Sequence, residues 1–148
     1  MISQLFMLLL FAAPLQATAA SGVCTAEEDA TAESIMGKVK DWDSLYRTFG
    51  RVANCDNGGT SEFNNDVVLH LLAKQWPGTR RQFELIADSS RFREFVLKHI
   101  SATSDLSELK RVRKNAKKLC ITGEDAICSA IASRAKLAID DLSSNGVK

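Results

Sequence analysis

Three things are scarce in this chain of 148 residues. No charged side chain occurs in residues 1–20, proline occurs only twice, at Pro14 and Pro77, and no stretch alternates apolar with polar residues. The missing alternation excludes half-buried strands, whose successive side chains point to opposite faces. The scarcity of proline leaves Pro77-Gly78 as the one proline stop after the first twenty residues. The uncharged start holds a dense apolar run, Leu5 to Leu10, then Ala17-Thr18-Ala19, the small-x-small pattern of a signal-peptidase site. Pro14 breaks the run, which falls short of the roughly 20 apolar residues a bilayer span needs, so an uncleaved anchor is disfavoured. Ser21-Gly22-Val23 before Cys24 is a poor lipoprotein signal. Residues 1–20 are therefore expected to be a cleavable signal peptide. Residues 21–148 are expected to be a single domain, periplasmic or secreted, with no stable membrane anchor after cleavage.

Catalytic and ligand-binding patterns are missing too. There is no C-x-x-C, so neither thiol catalysis nor a zinc knot is expected. His70 and His99 stand outside any H-E-x-x-H pattern and read as structural or surface residues, with His99 at a helix C-terminus that suits a positive ring. Asp56-Asn57-Gly58-Gly59 resembles a calcium loop at first sight. Counted from Asp56, however, position 3 is Gly58 and position 12 is Val67, where an EF-hand needs oxygen ligands. The same glycines before a helix suit a cap or an anion-binding turn, and the cap is the simpler reading. G-x-S-x-G and a glycine-rich phosphate loop are absent. No enzyme, cofactor or metal is expected.

What is present fits a small globular domain: 45% hydrophobic and 25% charged residues are ordinary proportions. Cys24, Cys55, Cys120 and Cys128 all follow the expected signal, and an even count in an exported chain reads as two disulfides with three possible connectivities. Net charge is +1 but uneven. Ser21 to Lys74 has nine acidic and five basic residues, Gln75 to Lys148 nine acidic and fourteen basic. Either the halves neutralise each other on folding, or one basic face steers an acidic partner.

The mature region reads as helix after helix. Thr25 with Glu28 forms a capping-box pattern that opens a helix through about Val39. A second helix starts at Asp41 or Asp43, with Trp42, Leu45, Tyr46, Phe49, Val52 and Ala53 on one face. Thr60 or Ser61 caps a third, apolar at Phe63, Val67, Val68, Leu71, Leu72 and Trp76. Thr79 with Gln82 opens a fourth, Asp88 or Ser89 a fifth, and Thr103 or Ser104 a sixth bearing Leu106, Leu109, Val112, Ala116 and Leu119. Thr122 to Asp125 opens the last, and Ser143 to Lys148 should fray. The expected fold is all-α, a compact orthogonal bundle of six or seven short helices stapled by two disulfides.

Lys110, Arg111, Arg113, Lys114, Lys117 and Lys118 crowd the sixth helix. A solvated face explains them; a partner-binding face is the sharper reading. Arg80, Arg81, Arg91 and Arg93 would extend the patch if the fold gathered them. Export and the near-neutral total argue against nucleic acid, leaving an acidic protein surface, an anionic lipid or a glycan.

From Asp41 to Cys120 the chain resembles a family of small, exported, uncharacterised bacterial proteins. The resemblance is carried by Trp42-Asp43-x-Leu45-Tyr46, Cys55-Asp56-x-Gly58, Phe95-Val96-Leu97-Lys98-His99-Ile100 and Cys120. It implies a Cys55–Cys120 bridge, which leaves Cys24–Cys128 as the second, and it bears on compartment and fold, not on function. A looser similarity, in small size, signal peptide, helical body and disulfide, is to periplasmic immunity proteins that neutralise delivered cell-wall amidases and other effectors. The leading expectation is an exported protein-binding module of immunity-inhibitor type. A helical carrier of a lipid or small apolar ligand, and a small envelope hydrolase, are the alternatives.

Overall fold

The computed structural model describes residues 24–145; the expected signal peptide over residues 1–20 lies outside the described residues. Seven α-helices follow in order: α1 Ala26–Met36, α2 Trp42–Val52, α3 Gly58–Lys74, α4 Arg80–Asp88, α5 Ser90–Lys98, α6 Leu106–Lys118 and α7 Asp125–Asn145. A single 3-10 turn, Ala53–Cys55, follows α2, and no strand occurs among the described residues. The fold is all-α, as the helical periodicity implied.

Local hydrogen bonding sets most helix starts. Thr25 Oγ1 accepts from the Glu28 N–H while the Glu28 carboxylate accepts from the Thr25 N–H, closing the capping box of α1. Asp41 and Ser44 do the same for α2. Thr79 and Ser89 cap α4 and α5, but the Gln82 side chain accepts from the Gly78 N–H rather than from Thr79. Two starts differ from expectation. α6 is capped by Asp105, whose carboxylate accepts from the Glu108 N–H at 2.9 Å, because Ser104 is buried and Thr103 is held by Asn65. α3 begins at Gly58, which adopts φ +49, a backbone conformation open to glycine. α1 is shorter than expected, with Gly37 at its C-cap. α7 is helical through Asn145 instead of fraying from Ser143, since Ser143 and Ser144 donate back to the carbonyls of Ile139 and Asp141.

The core gathers around α3, which packs against α1 on one side and α6 on the other. Val68, Leu69, Leu71 and Leu72 are buried there, and so are the polar Thr60, Asn64 and Asn65. Trp42 is buried, and its Nε1 donates to the Gln75 carbonyl at 2.8 Å beyond the end of α3. Tyr46, expected inward, is 37% exposed, with its ring edge-on to Phe92.

The disulfides are Cys24–Cys55 and Cys120–Cys128, with Cα–Cα distances of 5.4 and 6.0 Å. The pairing implied by the family resemblance, Cys55–Cys120 with Cys24–Cys128, is not formed. Folding brings nearer partners to each sulfur. The 3-10 turn carrying Cys55 packs against α1, whose start holds Cys24. Cys120 and Cys128 flank the turn that joins α6 to α7. Each bridge therefore fastens one helix junction instead of tying the two halves together.

Non-reducing peptide mapping should return the 24–55 and 120–128 linked pairs. In chain-entropy terms, Cys24→Ser with Cys55→Ser should cost about 3.7 kcal/mol and Cys120→Ser with Cys128→Ser about 2.5 kcal/mol, because the first bridge closes the longer loop. Denaturant titration checks the order.

Candidate partner-binding face

The sequence of α6 divides cleanly by face. Leu109, Val112 and Ala116, three and four residues apart, are buried, and the remaining positions are almost all polar. Two further bonds hold the helix in place. Asn115 Nδ2 donates to the carbonyls of Leu72 and Ala73 at the end of α3. Trp76 Nε1 donates to the Leu119 carbonyl at the α6 C-terminus, at 3.0 Å. These contacts satisfy carbonyls that the helix ends leave open.

All six basic residues expected at the contact face lie on this helix. Lys110, Arg111, Lys114, Lys117 and Lys118 are exposed and Arg113 is half-buried. Lys110, Arg113, Lys114, Lys117 and Lys118 line a groove of about 380 Å³ together with Ile139 of α7; Arg111 lies outside that lining. A second groove shares Arg113 and Lys117 and adds Lys136, Asp125 and the Cys120–Cys128 bridge. Among the described residues none of the six cations pairs with a carboxylate, whereas Lys136 is taken by Asp140. Lys110 with Lys114, Arg113 with Lys117, and Lys114 with Lys118 are like-charge i,i+4 neighbours, together costing about 1 kcal/mol. An anion in the groove relieves that repulsion.

The four arginines that might have enlarged the patch are dispersed. Arg80 reaches the α6–α7 turn, its Nη2 beside Gly123. Arg81 pairs with Asp43 at 3.5 Å. Arg91 lies in a separate groove with Lys98 and Arg134, and Arg93 donates to the Ala87 carbonyl.

A second polar constellation went unnoticed in the sequence. Asp56, with its side chain 6% exposed, accepts from Lys98 Nζ at 2.7 Å and from Asn64 Nδ2 at 3.1 Å. His99 is fully buried, its Nε2 3.1 Å from Asp56 Oδ2. That approach is short but off the line of a straight hydrogen bond, so its attraction is mainly electrostatic. On the other side of the ring, Nδ1 lies 2.7 Å from Asn65 Oδ1, and Asn65 Nδ2 donates to Ser101 and Thr103. Burial pushes the Asp56 carboxyl up, but its contacts with His99 and Lys98, reinforced by attraction to the His99 ring and by Asn64, hold it well below the usual carboxylate range. With Nδ1 bonded to Asn65, Nε2 facing Asp56 and no exposed surface, His99 fastens the end of α5 to α3. The Cys-Asp-x-Gly and Phe-Val-Leu-Lys-His-Ile segments quoted above thus meet in space. The signal was weak because 42 residues separate Asp56 from Lys98.

His70 is exposed on α3. Cys24, Asp29 and Cys55 bring possible ligand atoms within 4.8 Å of one another, but the two sulfurs are bonded together and offer no thiolate. Compared with family models, curated proteins and solved structures, the chain matches none.

Asp56→Asn should destabilise the protein by about 3 kcal/mol near neutral pH, the scale of a broken buried pair. A carboxyl with a depressed folded pKa stabilises fully above its unfolded value, 3.8, and loses that contribution as pH falls. Wild-type stability should therefore drop as the pH is lowered below about 4, with a shallower drop in Asp56→Asn, as read by urea melts across pH.

Proposed function

We propose that this protein is an exported, non-catalytic binding module that meets an acidic protein partner on α6, in the manner of an immunity-type inhibitor that covers another protein's working surface. The observation that carries the reading is the set of six cations on one clamped helix, left without carboxylate partners among the described residues. A like-charged face is a cost to the folded monomer that complementary charge on a partner removes. The two disulfides suit an oxidising extracellular compartment, and no described helix is long and apolar enough to cross a membrane. The large apolar side chains Trp42, Phe83 and Phe92 are packed in the core, which favours a solid body over a hollow carrier. Rigidity lowers the ordering cost of association.

Capture of the mature, oxidised protein with its bound material from envelope extract should yield a stoichiometric protein, identified by mass spectrometry. Against that partner, Lys114→Glu with Lys117→Glu should slow association about tenfold at low salt and flatten its salt dependence. Unchanged kinetics would move the contact to another face.

A further inference from the structure

We infer that the α6–α7 groove takes a short acidic segment of the partner, about four carboxylates bracketing one apolar side chain, sized to a helix that rises about 12 Å from Lys110 to Lys118. This rests on the reading of α6 as the contact face and specifies what lies in it. Five cations surround the groove and no carboxylate lines it. A single small anion meets two or three of those side chains and leaves the others repelling one another. A row of charges meets them all, and an extended chain advancing about 3.3 Å per residue covers the roughly 12 Å row in about four steps, that is about five residues.

The floor decides between kinds of polyanion. Ile139 and the methylene stems of the lysines give the groove an apolar base beneath its charged rim. Leu106, 39% exposed, opens the same stripe of α6 as Lys110, Arg113 and Lys117. A polyphosphate or acidic glycan supplies charge but nothing to cover Ile139. A bilayer is broad and flat, and suits the convex outer side of a helix better than a concavity between two. Protein sequence alone offers carboxylates and an apolar side chain on one narrow strand.

The test uses the mature, oxidised protein and two labelled synthetic peptides, one acidic with a central leucine and one with serine in its place. The leucine peptide should bind about tenfold tighter, as expected for burying one leucine side chain. Amide shifts on binding should be confined to α6 and α7. Lys114→Glu with Lys117→Glu should abolish binding of both peptides, and Ile139→Ser should erase the difference between them. If Ile139→Ser fails to fold, the comparison of the two peptides on the wild type still decides. Equal affinity for the two peptides, binding of neither, or tighter binding to phosphatidylglycerol vesicles would each overturn the inference. Partner capture separates the two levels: if the charge-reversed variant loses the partner while the peptides fail, the face stands and its proposed occupant falls. If capture is unchanged as well, both fall.

Discussion

A carboxylate removed from water must be given partners, and at Asp56 that demand reaches across much of the molecule. Its neighbour Cys55 is bonded to Cys24, which ties the turn to the start of α1. Its oxygens draw in Asn64 from α3 and Lys98 and His99 from the end of α5. Through the far side of the imidazole, the network continues to Asn65 and then to the hydroxyls of Ser101 and Thr103. Those hydroxyls sit in the loop that leads to Asp105, where α6 is capped. Removing one member therefore leaves a buried polar group without its partner and loosens a path that ends at the candidate face.

That face is held at its other end by a separate set of bonds. Asn115 and Trp76 link α6 to the end of α3, and the Cys120–Cys128 bridge fixes the turn into α7. Gly123 lies in that turn at φ +95, where a side chain would strain the backbone. The basic helix is thus fastened to the core before any partner arrives. Lys117 and Lys118 in its last turn gain from the helix dipole, which offsets part of their mutual repulsion.

Local physics made the helices readable. Thr25, Thr79 and Ser89 cap as expected because a hydroxyl beside a helix start needs only its own neighbours to act. Thr103, Ser104 and Asp105 were harder, since three consecutive residues can each cap and tertiary contacts chose among them. Tyr46 shares the period of the core residues of α2 yet lies at the edge of the packed face. The disulfide pairing and the Asp56–His99 contact both depend on how helices are placed against one another, which no local pattern encodes. The cations of α6 were visible as a count. Their gathering around Ile139 was not, because it required knowing which side of α7 lies next to them.

The ring closed by Cys120 and Cys128 contains Ile121 to Ile127 and no lysine or arginine, although two lysines stand just before it. An enzyme that cuts after basic residues finds no site within the ring, while one that cuts after Glu124 or Asp125 does. A single cut there leaves both new ends on one covalent molecule, with α6 and α7 still joined through sulfur. The turn between α6 and α7 can thus be severed without separating the helices it connects.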